Sequence, residues 1–440
     1  MVISRHVSGK FRNTRYLVEA LLFLVYFTLP WLRMEGKPII LLDIPARNFY
    51  LLGSIYIPQE VYFLLLFLIL MGLSLFFFTS LIGRVWCGWA CPQTIFTDVF
   101  DIFGHLILRK KYGKKDAPVF RKVLLHIVWI VVSFVGAFHF IAYFNDAYDM
   151  QKDFLSLASH EYIYPYFILF FTATLYLDMT VVREQFCKLA CPYARFQTIL
   201  MDNHTYNVIY DHKRGEPRRN KKEKIGDCTA CNMCLVVCPT GIDIREGTNV
   251  GCIACGKCVD ACTIQMAKEN KKTLIRYDSE DRVEKKNTKI KWIRPRTVLY
   301  GSLLLLISSL AVFLISTRVP LFINAQPDRN IAPMVIPGNK VRSFYNVKIR
   351  NMTYKEQNLK FEIDNNTTKL TPIHLLVGGE NSVVKIPENS MMEVRVILET
   401  PNLPEEEKYR KVFKVWLKVS DMDNPRVYKR NELPILLPNG

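Results

Sequence analysis

Hydrophobic residues along this chain fall into blocks. Runs at 16–32, 61–82, 123–144, 163–182 and 298–317 are nearly free of charge, and each is close to the roughly 20 residues that an α-helix needs to cross a bilayer. The pattern predicts five transmembrane spans. The first run follows basic residues, as a signal peptide would, but no small-residue cleavage pattern comes after it and it is read as a retained span. Beyond 317 the period changes. Short alternating runs, YNVKIRN, NLKFEID, MMEVRVILET and KVFKVWLKVS, are divided by NNTT, PEN and NPR. A period of two with polar punctuation predicts strands, and their number predicts an immunoglobulin-like β-sandwich over 318–440.

Charge orients the spans. The chain has 440 residues and a formal net charge of +18, and positively charged loops stay cytoplasmic during insertion. Arg5, Lys10, Arg12 and Arg15 precede the first run and eight basic residues lie in the 83–122 loop, whereas the alternate loops 33–60 and 145–162 hold three and one. The expected layout is a cytoplasmic N-terminus at 1–15, four spans within 16–182, a cytoplasmic segment at 183–297, a fifth span at 298–317 and an exterior domain at 318–440. The cytoplasmic segment carries 23 Lys and Arg against 14 Asp and Glu. Cytoplasmic retention and contact with anionic headgroups account for its KRGEPRRNKKEK run without nucleic acid as a partner.

Cysteine placement adds the chemistry. All twelve cysteines lie between Cys87 and Cys262 and the last 178 residues have none, which points to reduced, metal-binding thiols on the cytoplasmic side rather than to exterior disulfides. CTACNMCLVVC at 228–238 and CIACGKCVDAC at 252–262 each read C-x2-C-x2-C-x3-C. In tandem, such runs match two-cluster ferredoxins, in which the fourth cysteine of one run ligates the other cluster. Cys228, Cys231, Cys234 and Cys262 are assigned to one [4Fe-4S] cluster, and Cys252, Cys255, Cys258 and Cys238 to the second. Structural zinc, the alternative, favours two CxxC pairs with a longer gap. Cys262 is followed by Thr263 where the first run has Pro239, a change in the turn and not in the donor set.

Four thiols remain. WCGWACP at 86–92 and FCKLACP at 186–192 match at an offset of one hundred residues, pairing Cys87 with Cys187, Cys91 with Cys191 and Pro92 with Pro192. On one helix, cysteines four apart would share a face. Both pairs follow spans that run toward the cytoplasm, so all four are expected at one membrane face, beside the ferredoxin segment. A buried cysteine is often only a small hydrophobe. Two matched copies instead argue for a soft metal, a dithiol–disulfide couple or a quinol or protein contact. Asp178 is an ionisable group inside a span and so a functional candidate, or equally a partner for a neighbouring helix, while Met179 could assist a copper site although an apolar filler is the more frequent role of such a residue. His126 and His139 lack histidine partners on the other spans, which disfavours haem.

The order of spans with two C-x3-C-P motifs, a two-cluster ferredoxin insert, one more span and an exterior strand-rich domain resembles the CcoG/FixG (RdxA) family of cytochrome oxidase accessory proteins. The resemblance covers essentially the whole chain. It implies a bacterial inner-membrane oxidoreductase that helps mature a cbb-type cytochrome c oxidase by reducing Cu(II) to Cu(I), with Cys87, Cys91, Cys187 and Cys191 as its copper-handling thiols. Implied partners are oxidase subunits or copper chaperones and a cytoplasmic electron donor. The motifs also resemble quinol-linked membrane subunits of nitrate and nitrous oxide reductase systems, and a scaffold with structural clusters is a third reading.

Overall fold

The computed structural model describes the chain except residues 1–2, 115, 157–162, 220–225, 248, 250, 286–288, 365–372, 378–381, 403–413 and 436–440. The NNTT turn and part of the KRGEPRRNKKEK run lie outside the described residues. Two compact units emerge: Met1–Leu32 with Val61–Val312, and Arg33–Glu60 with Phe313–Gly440.

The first unit is helical around a small ferredoxin-type domain. Its helices are α1 (Lys10–Thr28), α2 (Val61–Ile82), the short α3 (Val85–Trp89), α4 (Pro92–Leu108), α5 (Val119–Ile141), α6 (Ala147–Ser156), α7 (Tyr164–Leu177) and α8 (Pro192–Leu200). Among the described residues four helical segments are long and apolar enough to cross a membrane: Pro58–Ile82, Val119–Ile141, Tyr164–Val182 and Pro295–Ser316. The apolar stretches of the first and last of these bury 0% and 6% of their residues within the protein, which leaves those surfaces for lipid. α1 does not reach that standard, because Arg12, Arg15 and Glu19 lie on its first half, all buried.

Between α8 and the last helix, strands Asn207–Tyr210 and Ile275–Asp278 pair antiparallel. Helices Met233–Val236 and Lys257–Ala267 lie between them in the chain. The core mixes Val208, Tyr210, Val259, Met266 and Leu274 with cysteines of both runs, so this domain is built around its sulfurs.

The second unit holds the sandwich. One sheet runs His374–Val377, Met391–Pro401, Lys340–Asn351, Leu321–Pro327, with Met334–Ile336 also on Lys340–Asn351; the other runs Val383–Ile386, Gln357–Ile363, Lys414–Asp421, Tyr428–Pro434. Alternation sets the inner face, so Val341, Tyr345, Val347 and Ile349 all point into the core. The 33–60 segment is more than a loop. Its strands Ile40–Asp43, Asn48–Leu51 and Ser54–Tyr56 form a sheet that joins Met352 through Leu41, Tyr50, Ile55 and Ile57, with Asn389 donating to the Tyr50 hydroxyl at 2.9 Å.

Candidate functional site

The eight ferredoxin-type cysteines surround two voids. Cys228, Cys231, Cys234 and Cys262 line one; Cys238, Cys252, Cys255 and Cys258 line the other, which Cys234 also reaches. Each void thus takes three thiols from one run and the fourth from the other. The runs wrap alike because equivalent positions turn left-handed: Ala230 and Ala254 have φ of 52° and 51°, and Asn232 and Gly256 of 56° and 76°. Burial pushes the Cys234 thiol up to about 11, against the pull of nearby Arg245, and burial pushes Cys252 up to about 12. Such thiols stay protonated unless a cationic centre claims them, and metal loading releases their protons. Among the described residues no three His, Cys, Asp or Glu side chains gather closely enough for one metal ion. Four-thiol voids of this kind fit a cubane cluster better than a single zinc ion.

The C-x3-C-P copies depart from the single-helix expectation. Cys87 lies in α3, but Cys91 is the N-cap of α4 with Pro92 as its first residue. Cys187 lies in a π-helical turn, Phe186–Ala190, and Cys191 caps α8 ahead of Pro192. Proline forces its predecessor out of the helical region, so Cys91 and Cys191 are extended, with ψ of 127° and 110°. The break falls between the two cysteines of each pair, and the second thiol sits at the start of a new helix. The four thiols lie within electrostatic reach of one another, although no three of them gather closely enough for one metal ion: Cys187 lies in the field of Cys91, Cys87 and Cys191, and Cys87 in that of Cys91 and Cys191. Burial pushes Cys87 up to about 11; burial and the neighbouring thiols push Cys187 up to about 12.

Polar side chains that sequence reasoning missed hold this set. The buried Gln197 amide accepts from Cys87 Sγ at 3.1 Å and from Arg84 Nε at 2.9 Å, and donates to Thr79 Oγ1 at 3.2 Å. Only the position of Arg84 and Gln197 just outside the motifs could have signalled them.

The two thiol systems touch. Cys87, Ile253 and Cys255 form one buried cluster, with Tyr193 against it. A Cβ on Gly88 would fall 2.3 Å from the Ile253 carbonyl oxygen and 2.9 Å from the Cys255 nitrogen, so glycine is what allows this approach. Trp89 Nε1 donates to the Ala254 carbonyl at 3.2 Å. The first C-x3-C-P loop therefore lies directly on the loop that lines the second void.

A buried ionic knot fixes the surroundings. Asp98 accepts from Arg12 Nη1 at 2.8 Å and Lys257 Nζ at 3.0 Å and pairs with Arg15, which also holds Glu19 at 2.9 Å. Asp260 takes the backbone N–H groups of Phe11 and Arg12. The start of the chain is thus strapped to α4 and to the helix that carries Cys258 and Cys262. The other singled-out residues stand apart. Met179 packs beside Phe100 and Trp129, Asp178 hydrogen-bonds with Gln93, His126 meets the Tyr176 hydroxyl at 2.9 Å, and His139 uses both ring nitrogens, on Trp31 and the Val135 carbonyl.

Membrane-crossing helices, a cysteine-built dicluster domain and an Ig-like unit define a membrane iron-sulfur redox protein. Comparison with known families agrees: a 4Fe-4S dicluster domain matches residues 182–280, a 4Fe-4S binding domain matches 63–115, and an IG-like fold at the C-terminal of FixG matches 311–434. Protein RdxA of Cereibacter sphaeroides is 33% identical over 427 residues, covering 91% of this chain and 89% of its own. Protein RdxB of the same organism is 32% identical, covering 94% and 92%, and nitrogen fixation protein FixG of Rhizobium meliloti 30%, covering 82% and 79%. The chain belongs to the FixG/RdxA family.

Proposed function

We propose that this protein is a cupric reductase of the bacterial inner membrane that supplies Cu(I) for assembly of a cbb-type cytochrome c oxidase. The observation that carries the reading is the packing of Cys87 and Gly88 on Ile253–Cys255, which sets a four-thiol site against a void suited to an iron-sulfur cluster. The clusters, held by the two sets of four cysteines, supply one electron at a time when bound, which is what reduction of a cupric ion consumes. Cys87, Cys91, Cys187 and Cys191 bind the copper, and soft thiolates favour the cuprous product. Gln197 and Arg84 hold Cys87 in position.

Connectivity supports a five-span layout with the N-terminus and ferredoxin domain cytoplasmic. Residues 3–15 are strapped to the ferredoxin domain, which precedes the last helix, whereas 33–60 packs on the sandwich, which follows it. A last helix that crosses the membrane therefore requires α1 to cross as well, its buried charges compensated by Asp98. The exterior sandwich is a docking domain for oxidase subunits or copper chaperones.

The test is made in cells. Those lacking this protein should lose most cbb-type oxidase activity, recover it with the parent chain, and fail to recover it with Cys87, Cys91, Cys187 and Cys191 all changed to Ser. Full recovery with that variant would leave the scaffold reading standing. A second reading, that these four thiols ligate iron and sulfur themselves, is favoured by the 4Fe-4S binding domain match over 63–115. Iron analysis separates the two, since a third cluster raises the content from about eight to about twelve atoms.

A further inference from the structure

A cavity of about 310 Å³ lies where the start of the chain meets α4 and Lys257. Arg5, His6, Arg12, His105 and Lys257 line it, and the one carboxylate among its described lining residues is Asp101. That carboxylate is already engaged by Arg183 and by the Tyr112 hydroxyl at 2.7 Å. Asp98 pairs with Arg12, Arg15 and Lys257, Glu19 pairs with Arg15, and Asp260 is taken by the Phe11 and Arg12 backbone, so with Arg5 on the lining the walls retain a small excess of positive charge. The field is felt at His6, whose pKa is lowered by burial and by Arg12, His105 and Lys257.

The cavity also has an apolar lip. Leu106 is 69% exposed and Ile102 is 40% exposed, and the Arg12 guanidinium lies 3.9 Å over the Tyr16 ring. α1 turns apolar at this level, with Leu17, Leu21 and Leu24 exposed beyond it. Basic pockets at the cytoplasmic ends of membrane helices suit phosphate-bearing headgroups, and guanidinium groups recognise phosphate oxygens well. We infer that this cavity binds the phosphate of an anionic phospholipid headgroup, with the acyl chains lying along the exposed face of α1 and Leu106. Lys257 stands in sequence between Cys255 and Cys258, so a bound anion alters the field at the second void and makes a cluster there a stronger reductant. Only this consequence rests on the reading above; binding itself does not.

The experiment uses the full-length protein in nanodiscs of phosphatidylcholine, alone or mixed with phosphatidylglycerol, with retained lipid read by native mass spectrometry and cluster midpoints by redox titration. The comparison variant is Arg5→Gln with His6→Gln, two exposed side chains outside the thiol sites. The parent should retain phosphatidylglycerol about tenfold over phosphatidylcholine, the variant should lose that preference, and one midpoint should fall in phosphatidylglycerol discs for the parent alone. Equal retention of the two lipids, or an unchanged preference in the variant, overturns the inference. Inorganic phosphate that binds in phosphatidylcholine discs and is not displaced by phosphatidylglycerol assigns the cavity to soluble phosphate and overturns the lipid claim. Lipid preference without copper reduction would leave this inference intact while removing the reductase reading.

Discussion

At residue 88 a single added methyl would collide with the Ile253 carbonyl and the Cys255 backbone, and neither is the movable end of a side chain. Gly88→Ala should therefore push the first C-x3-C-P loop away from the second cysteine loop while leaving all twelve thiols in place. Copper reduction is expected to slow by about tenfold or more, with cluster absorbance and iron content unchanged; a rate equal to the parent's would show that this contact is not the route. Asp98 makes a different residue-scale case. It is 1% exposed and faces Arg12, Arg15 and Lys257. Burial disfavours its charge, but those three cations outweigh the penalty and hold its carboxyl well below the usual range. Asp98→Asn leaves three buried cations answered by Glu19 alone, and should cost about 3–5 kcal/mol, read as a drop in thermal midpoint in detergent. A depressed pKa of this sign means the stabilisation is present above the unfolded carboxylate value, about 3.9, and is lost as pH falls below it.

Among the elements, those written in period and spacing were legible in advance. Four of the five apolar blocks gave helices of membrane-crossing length, and the alternating runs gave the sandwich strands. What escaped was non-local. The small sheet at 33–60 depends on burial against Met352 some three hundred residues later, and the strap of residues 3–15 on Asp98 and Asp260 depends on contacts no local pattern encodes. The break inside each C-x3-C-P motif was half visible. Proline announced it, but its position between the cysteines, making the second one a helix cap, emerges only from the backbone. The crossed arrangement of the runs makes a prediction at this scale. Cys262→Ser strips the first void of its fourth thiol, so about four of about eight irons should remain and the cluster in the second void should keep its EPR signal. Loss of both clusters would argue against two independent cages.

At the scale of the whole molecule, the proposed five-span layout makes its own prediction. Protease added to sealed, right-side-out spheroplasts should remove the sandwich and leave the ferredoxin domain intact, and inverted vesicles should give the opposite pattern. Release of both from the same side would contradict the five-span layout. Half of the +18 net charge, a surplus of nine, sits on residues 183–297, where anionic lipid headgroups are a natural counterpart.

The most direct measurement takes anaerobically purified protein with its clusters reduced and mixes it with Cu(II), following cluster absorbance and a Cu(I)-specific chelator in one trace. Cluster reoxidation and Cu(I) formation should match one electron to one copper, and both should vanish when Cys87, Cys91, Cys187 and Cys191 are changed to Ser. Copper that stays oxidised beside reduced clusters, or a variant that performs as the parent does, would contradict the account.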